Sequence, residues 1–230
     1  MNLRVGVVLQ TFRDSLVEAL GVAADAARLG IDGVFCYDHL WPMGDRSRPA
    51  FAPFPVLAHL AATHPGLTVG TLVARIGLVS DAVLEAQFRT LAYLAPGRVI
   101  AALGTGDKLN REENDAYGIA YGSADERRAS LASVADSLQR VGIEVWIGGL
   151  AAATRAIAHD RDLTVNLWGV SIEELKEEAK NGPVTWAGPA PAAREALQEH
   201  LELASRANAS WVVYGWPVDL EALASFKHRL

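Results

Sequence analysis

Leu3-Arg-Val-Gly-Val-Val-Leu-Gln-Thr-Phe-Arg-Asp14 opens the first folded unit of the chain and narrows its architecture. Leu3–Leu9 is a nearly unbroken apolar run, the kind buried on both faces in a parallel sheet. The turn that follows, Gln10–Asp14, contains no glycine. An open, doubly wound sheet usually carries its glycine-rich dinucleotide fingerprint at this point. Seven more short β-branched runs follow, at Gly33–Tyr37, Leu67–Val73, Arg98–Leu103, Glu144–Ile147, Leu163–Leu167, Val184–Trp186 and Ser210–Tyr214. Helical spacing fills the gaps: Leu16, Leu20, Ala24 and Ala27; Val83, Gln87, Leu91 and Leu94; Leu131, Val134, Leu138 and Val141; and a helix expected to begin at Pro191. Ser123…Glu126 and Ser171…Glu174 read as capping boxes, while Pro96-Gly97 and Asn181-Gly182-Pro183 read as helix stops. An eight-fold βα alternation permits a closed barrel or an open sheet, and the glycine-free first turn selects the barrel. The expectation is an α/β chain forming a single compact (β/α)8 TIM barrel over residues 1–230.

Composition bounds the function. Half of the residues are hydrophobic, 21% are charged, and the formal net charge is -6. An acidic chain without Lys/Arg runs argues against nucleic acid as a partner. No apolar stretch is long enough to span a membrane, and Met1–Thr11 does not read as a signal peptide. Cys36 is the only cysteine, which excludes an intrachain disulfide and suits a reducing, cytoplasmic setting. The histidines, at 39, 59, 64, 159, 200 and 228, have no metal-ligand spacing, so no metal site is expected. His159 and His200 fall within helical patterns and read as surface residues.

In a barrel, polar residues just past the strand ends are the functional candidates. Strand two runs into Asp38-His39-Leu40-Trp41-Pro42. A histidine beside a carboxylate at the mouth can donate or relay a proton near neutral pH. Equally, Asp38 can cap the turn and His39 can be a satisfied polar group. Strand four runs into Gly104-Thr105-Gly106-Asp107-Lys108-Leu109-Asn110. Its small residues would let a ligand approach the backbone, with Thr105, Asp107 and Asn110 as hydrogen-bonding groups; a tight turn into a helix is the other reading. Strand five ends in Gly148-Gly149 at a helix start, either an anion site or a short αβ turn. Trp41 and Trp168 are packing residues or the walls of a flat-ring pocket.

The ordered set of segments resembles the bacterial luciferase-like superfamily, and within it the deazaflavin (coenzyme F420)-dependent oxidoreductases. The segments are Ala27–Val34, Tyr37–Pro42, Val69–Val73, Leu94–Val99, Leu103–Asn110, Glu113–Gly118, Arg127-Arg128, Ile147–Gly149 and Asn166–Trp168. The match is strong to about residue 150 and weak beyond it. The resemblance implies that His39 is the proton donor or hydrogen-bonding partner at the ring's reactive carbon, with Asp38 beside it. It places Trp41 in the cofactor site and Leu72-Val73 behind the central ring, on a bulge that often contains a non-proline cis peptide. Thr105, Gly106, Asp107 and Asn110 would contact the pyrimidine edge and side chain, and Gly148 and Gly149 the phosphate.

Family members are commonly longer, so the loops of the C-terminal half are expected to be short. The resemblance therefore implies hydride transfer between F420 and a small organic substrate. An FMN-dependent monooxygenase and a non-catalytic flavin-binding paralogue stand as alternatives. It also implies a homodimer across the second and third helices, burying Val56, Leu57, Leu60, Phe88 or Leu91.

Overall fold

The structure is a computed structural model that describes residues 3–12, 14–42, 45–48 and 50–227; Arg13 of the first turn and His228 lie outside the described residues. Eight parallel strands close into a barrel in sequence order. They are β1 (Arg4–Leu9), β2 (Gly33–Cys36), β3 (Thr68–Arg75), β4 (Val99–Gly104), β5 (Glu144–Gly148), β6 (Thr164–Trp168), β7 (Val184–Pro189) and β8 (Ala209–Gly215). The last closes on the first, with Val5 opposite Val212 and Val7 opposite Tyr214. Around the barrel lie α1 (Val17–Arg28), α2 (Pro53–Thr63), α3 (Asp81–Leu94), α4 (Asn110–Ala116), α5 (Ala124–Arg140), α6 (Ala152–His159), α7 (Ile172–Glu178), α8 (Arg194–Arg206) and α9 (Leu220–Lys227). All eight sequence-read strands are present, within a few residues of their expected ends. The glycine-free turn does connect a barrel strand to its helix.

Local chemistry accounts for several helix starts. Ser123 and Ser171 both form complete capping boxes, at the starts of α5 and α7. The expectation for Pro191 is corrected: α8 begins at Arg194 with Ala193 as its N-cap. Pro191 lies in the preceding loop, where it cannot continue a helix. In the C-terminal half the strand-to-helix connections shrink to residues 149–151, 169–171, 190–193 and 216–219.

Strand alternation divides the core in two. Outward residues such as Val7, Val34, Ala101 and Leu103 join the helices in one large apolar layer. Inward residues Val8, Phe35, Ile100, Ala102, Trp146, Trp211 and Val213 fill the barrel itself. Phe35, Trp146 and Trp211 meet with ring centroids 5.5–5.7 Å apart and plug the interior. Burying each such ring contributes about 1.5–3 kcal/mol, and a cavity lies beyond the plug, at the C-terminal ends of the strands.

The residues expected at a dimer interface are corrected by their burial. Val56, Leu57, Leu60, Phe88 and Leu91 are all 5% exposed or less and pack inside the same chain. They are the inward stripes of α2 and α3, and Phe54 caps Phe88 edge-on at 4.9 Å. His159 and His200 are also corrected, because both are only half-exposed. His159 Nε2 lies 2.7 Å from Glu178, and His200 Nδ1 lies 2.7 Å from the Tyr214 hydroxyl. Among the described residues, no helix is long and apolar enough to cross a membrane.

Candidate active site

A cavity of about 570 Å³ opens at the C-terminal ends of β2 to β6. Strand parity determines which residues of the second segment reach it. Phe35 points into the barrel, so Tyr37 and His39 follow it inward while Asp38 turns away. Asp38 is buried behind the wall, where its Oδ2 accepts the backbone N–H of Arg75 at 3.0 Å. Burial pushes its carboxyl above the usual range, against the opposing pull of that N–H and the Arg75 charge.

His39 is held from behind. Its Nδ1 lies 3.1 Å from Glu113 Oε2, and the same oxygen takes an ion pair from Arg75 Nη1 at 2.7 Å. Glu113 Oε1 accepts the Leu40 N–H. Burial alone would raise the Glu113 pKa, but His39, the Leu40 N–H and Arg75 outweigh it and hold the carboxyl below its ordinary range. Sequence reading gave neither partner a role, although Glu113 opens one segment of the family resemblance. Arg75 lies two residues past the expected end of strand three, and Glu113 lies one helical turn after Asn110, on the buried side of α4.

Leu72 and Val73 line the cavity floor. The bond between them is a non-proline cis peptide, and the β3–β4 register shifts between Thr71 and Ala74. The branched side chain of Val73 occupies the room left by two glycines. A Cβ on Gly104 would fall 2.6 Å from Val73 Cγ2, and one on Gly148 would fall 2.5 Å from Cγ1. These glycines therefore make space for the floor itself.

The turn after β4 supplies Thr105, Gly106 and Asp107 to the cavity wall. It is gripped from outside: Arg127 Nε donates to the Thr105 carbonyl at 2.7 Å, and the Tyr121 hydroxyl donates to the Asp107 carbonyl. Asn110 does not line the cavity. Its side-chain oxygen accepts the Asp107 N–H at 2.8 Å and so shapes the turn. Trp41 is also placed elsewhere, buried 5.4 Å from Tyr117 with the Arg46 guanidinium over its ring.

On the opposite side, Gly148, Gly149, Leu150, Ala151 and Thr154 bring the start of α6 to the cavity. Gly149 has φ +146°, a conformation that side-chain-bearing residues rarely adopt. No side chain caps α6, no acidic residue sits in its first turn, and its first bonds run from the Thr154 and Arg155 N–H groups to the Ala151 carbonyl. Gly149 N–H donates to the Asn166 carbonyl at 3.4 Å, and the N–H groups of Ala152 and Ala153 lie at the positive end of the helix dipole, ahead of the first intrahelical bonds. Asn166, which donates to Thr185 Oγ1 at 2.9 Å, and Trp168 complete the lining from β6. Tyr37 stacks on Phe12 at 5.3 Å and meets Trp168 edge-on at 6.0 Å, which makes one rim aromatic. Among the described residues, no group of His, Cys, Asp and Glu is arranged to hold a metal ion.

Comparison with known proteins bears on this site. The profile of the family described as luciferase-like monooxygenase matches residues 3–209. An F420-dependent glucose-6-phosphate dehydrogenase of Intrasporangium calvum is 35% identical over 122 residues, covering 52% of this chain and 36% of that protein. One from Nakamurella multipartita is 27% identical over 215 residues, covering 86% and 61% respectively. The chain thus spans less than two thirds of the length of both curated relatives. Among solved structures, an F420-dependent secondary alcohol dehydrogenase in complex with an F420-acetone adduct superposes with a TM-score of 0.78. It is 14% identical, with 100% of this chain and 98% of that one covered, a likeness of fold.

Proposed function

The chain belongs to the luciferase-like monooxygenase family, and from that membership we propose that it is an oxidoreductase passing a hydride between coenzyme F420 and a small organic substrate. The observation that carries the proposal is a convergence: the uncapped start of α6 opens into the same cavity as the His39 imidazole. The residues present fit a deazaflavin. Leu72 and Val73 offer an apolar floor for a ring, and the α6 N–H groups offer donors for its phosphate. Bound there, the deazaflavin would supply a ring carbon that takes or gives a hydride in a two-electron step.

The chain's own groups would do the rest. His39 would hold or deliver a proton through the ring nitrogen that Glu113 does not engage. Thr105 and Asp107, on a turn clamped by Arg127, would orient the polar edge of the ring. Tyr37 and Trp168 would shield the reacting centre from water. The relatives' names specify a phosphorylated sugar, but the chain spans only 36% and 61% of those proteins, so the proposal stops at a small organic substrate. A homodimer belongs to the same proposal. Its face would be the outer side of α3, where Val83 is 46% and Tyr93 86% exposed. A single buried thiol suits a cytoplasmic setting.

Parallel equilibrium titrations with F420 and FMN test the cofactor assignment. Saturable F420 binding, tighter than FMN, is expected. Tighter FMN binding would move the chain to the flavin monooxygenases, and binding of neither would remove the enzymatic reading.

A further inference from the structure

We propose that Glu113 sets the tautomer of His39, holding the imidazole proton on Nδ1 so that Nε2 is the nitrogen free to face the strand-end cavity. Which ring nitrogen of a histidine carries the proton is decided by the hydrogen bond the other atom of the pair can make. An ionised carboxylate is acceptor-only, so the Nδ1···Oε2 contact at 3.1 Å requires the proton on Nδ1. Nε2, across the ring from that contact, is then the lone pair or N–H available to a ligand.

Glu113 is built to stay charged and still. It is 3% exposed, and its two oxygens divide their work. Oε1 takes the Leu40 N–H, which fixes the carboxylate to the turn that carries His39, and Oε2 takes His39 and Arg75 together. Arg75 is itself 3% exposed, with Nε and Nη2 free of hydrogen bonds, so Glu113 is the carboxylate in direct contact with a buried cation. Asp38 anchors the backbone of that arginine at 3.0 Å. The four residues join strand two, strand three and α4 behind a single imidazole. A carboxylate retained only for packing would have no need to contact the ring.

The charged groups around His39 are Glu113 from α4, which contacts it, Arg75 from β3, which shares the same Glu113 oxygen, Asp38 on the far side of its own segment, and Asp107 from the turn after β4, which lines the same cavity. Tyr37 stays neutral, its hydroxyl pushed up to about 12 by burial. Replacing Glu113 by glutamine removes the nearest negative charge and leaves Arg75 in place, so the protonated imidazole loses support. Glu113 thus acts through His39 as a positioning residue. Its value to proton handling rests on the hydride-transfer reading above, whereas the tautomer does not.

The test is nitrogen-15 NMR of the ligand-free chain, as wild type and as Glu113→Gln. In the wild type's neutral imidazole, Nδ1 should be protonated and Nε2 not. In the variant, whose amide no longer offers an acceptor-only carboxylate, the share of imidazole protonated on Nε2 should rise. A wild-type imidazole carrying its proton on Nε2 overturns the proposal, as does a tautomer ratio unchanged in Glu113→Gln. The wild-type tautomer decides the matter alone if the variant does not fold. Because no cofactor is added, failure here is distinct from failure to bind F420.

Discussion

His39 and Asp38 adjoin in sequence and separate in space, and the separation follows from strand parity. The pair was visible in the sequence because both residues follow an apolar run directly. Their different roles required knowing which way Phe35 points. His39→Ala should reduce turnover about a hundred- to ten-thousand-fold, the usual range for a positioned acid or base, with a much smaller change in F420 affinity. Steady-state kinetics alongside a binding isotherm would check both halves. Asp38 predicts a pH effect of definite sign. Its folded pKa is raised above the ordinary value of 3.8, so its stabilising contribution is complete below that value and is lost as pH rises through the folded pKa. Asp38→Asn keeps an acceptor for the Arg75 N–H and removes a desolvated charge. Urea denaturation at neutral pH should find the variant at least as stable as the parent. A loss of about 1 kcal/mol or more, the net worth of a typical hydrogen bond, would show that the charge itself is needed.

Strands and helix caps were legible because their signals are local: continuous apolar runs, and Ser-x-x-Glu at both capping boxes. The purpose of the glycines was not. Gly104 and Gly148 look in sequence like room for a ligand, but in space they make room for Val73, a contact set by the register of three strands. Gly148→Ala should therefore destabilise the fold by about 1–3 kcal/mol through overpacking. Adding Val73→Ala should recover much of that loss, since the two sites share one volume. A double-mutant cycle measures the coupling, and additive effects would contradict the packing argument. Arg75 and Glu113 were given no role in the sequence for a related reason. One extends a strand past its apolar run, and the other faces inward from a short helix of mostly polar residues, Asn110–Ala116. Neither position carries a periodic signal.

At the scale of the whole molecule, the barrel concentrates its chemistry at one end because three aromatic rings fill the interior below the floor. The short connections at residues 149–151 and 169–171 keep that end open, with Leu150 and Trp168 left at its rim. Helix α6 then faces the cavity with no cap of its own, the feature on which cofactor binding most depends. Ala151→Asp exploits this. Aspartate is favoured at an N-cap, so the substitution should add about 1 kcal/mol of stability, while its carboxylate takes the N–H groups a phosphate would need. The decisive measurement is an F420 titration of the wild type and Ala151→Asp side by side. Saturable binding by the wild type, with affinity at least tenfold weaker in a variant that is no less stable, is expected. Equal affinity in the two proteins, or no binding by the wild type, contradicts an F420 site at the strand ends.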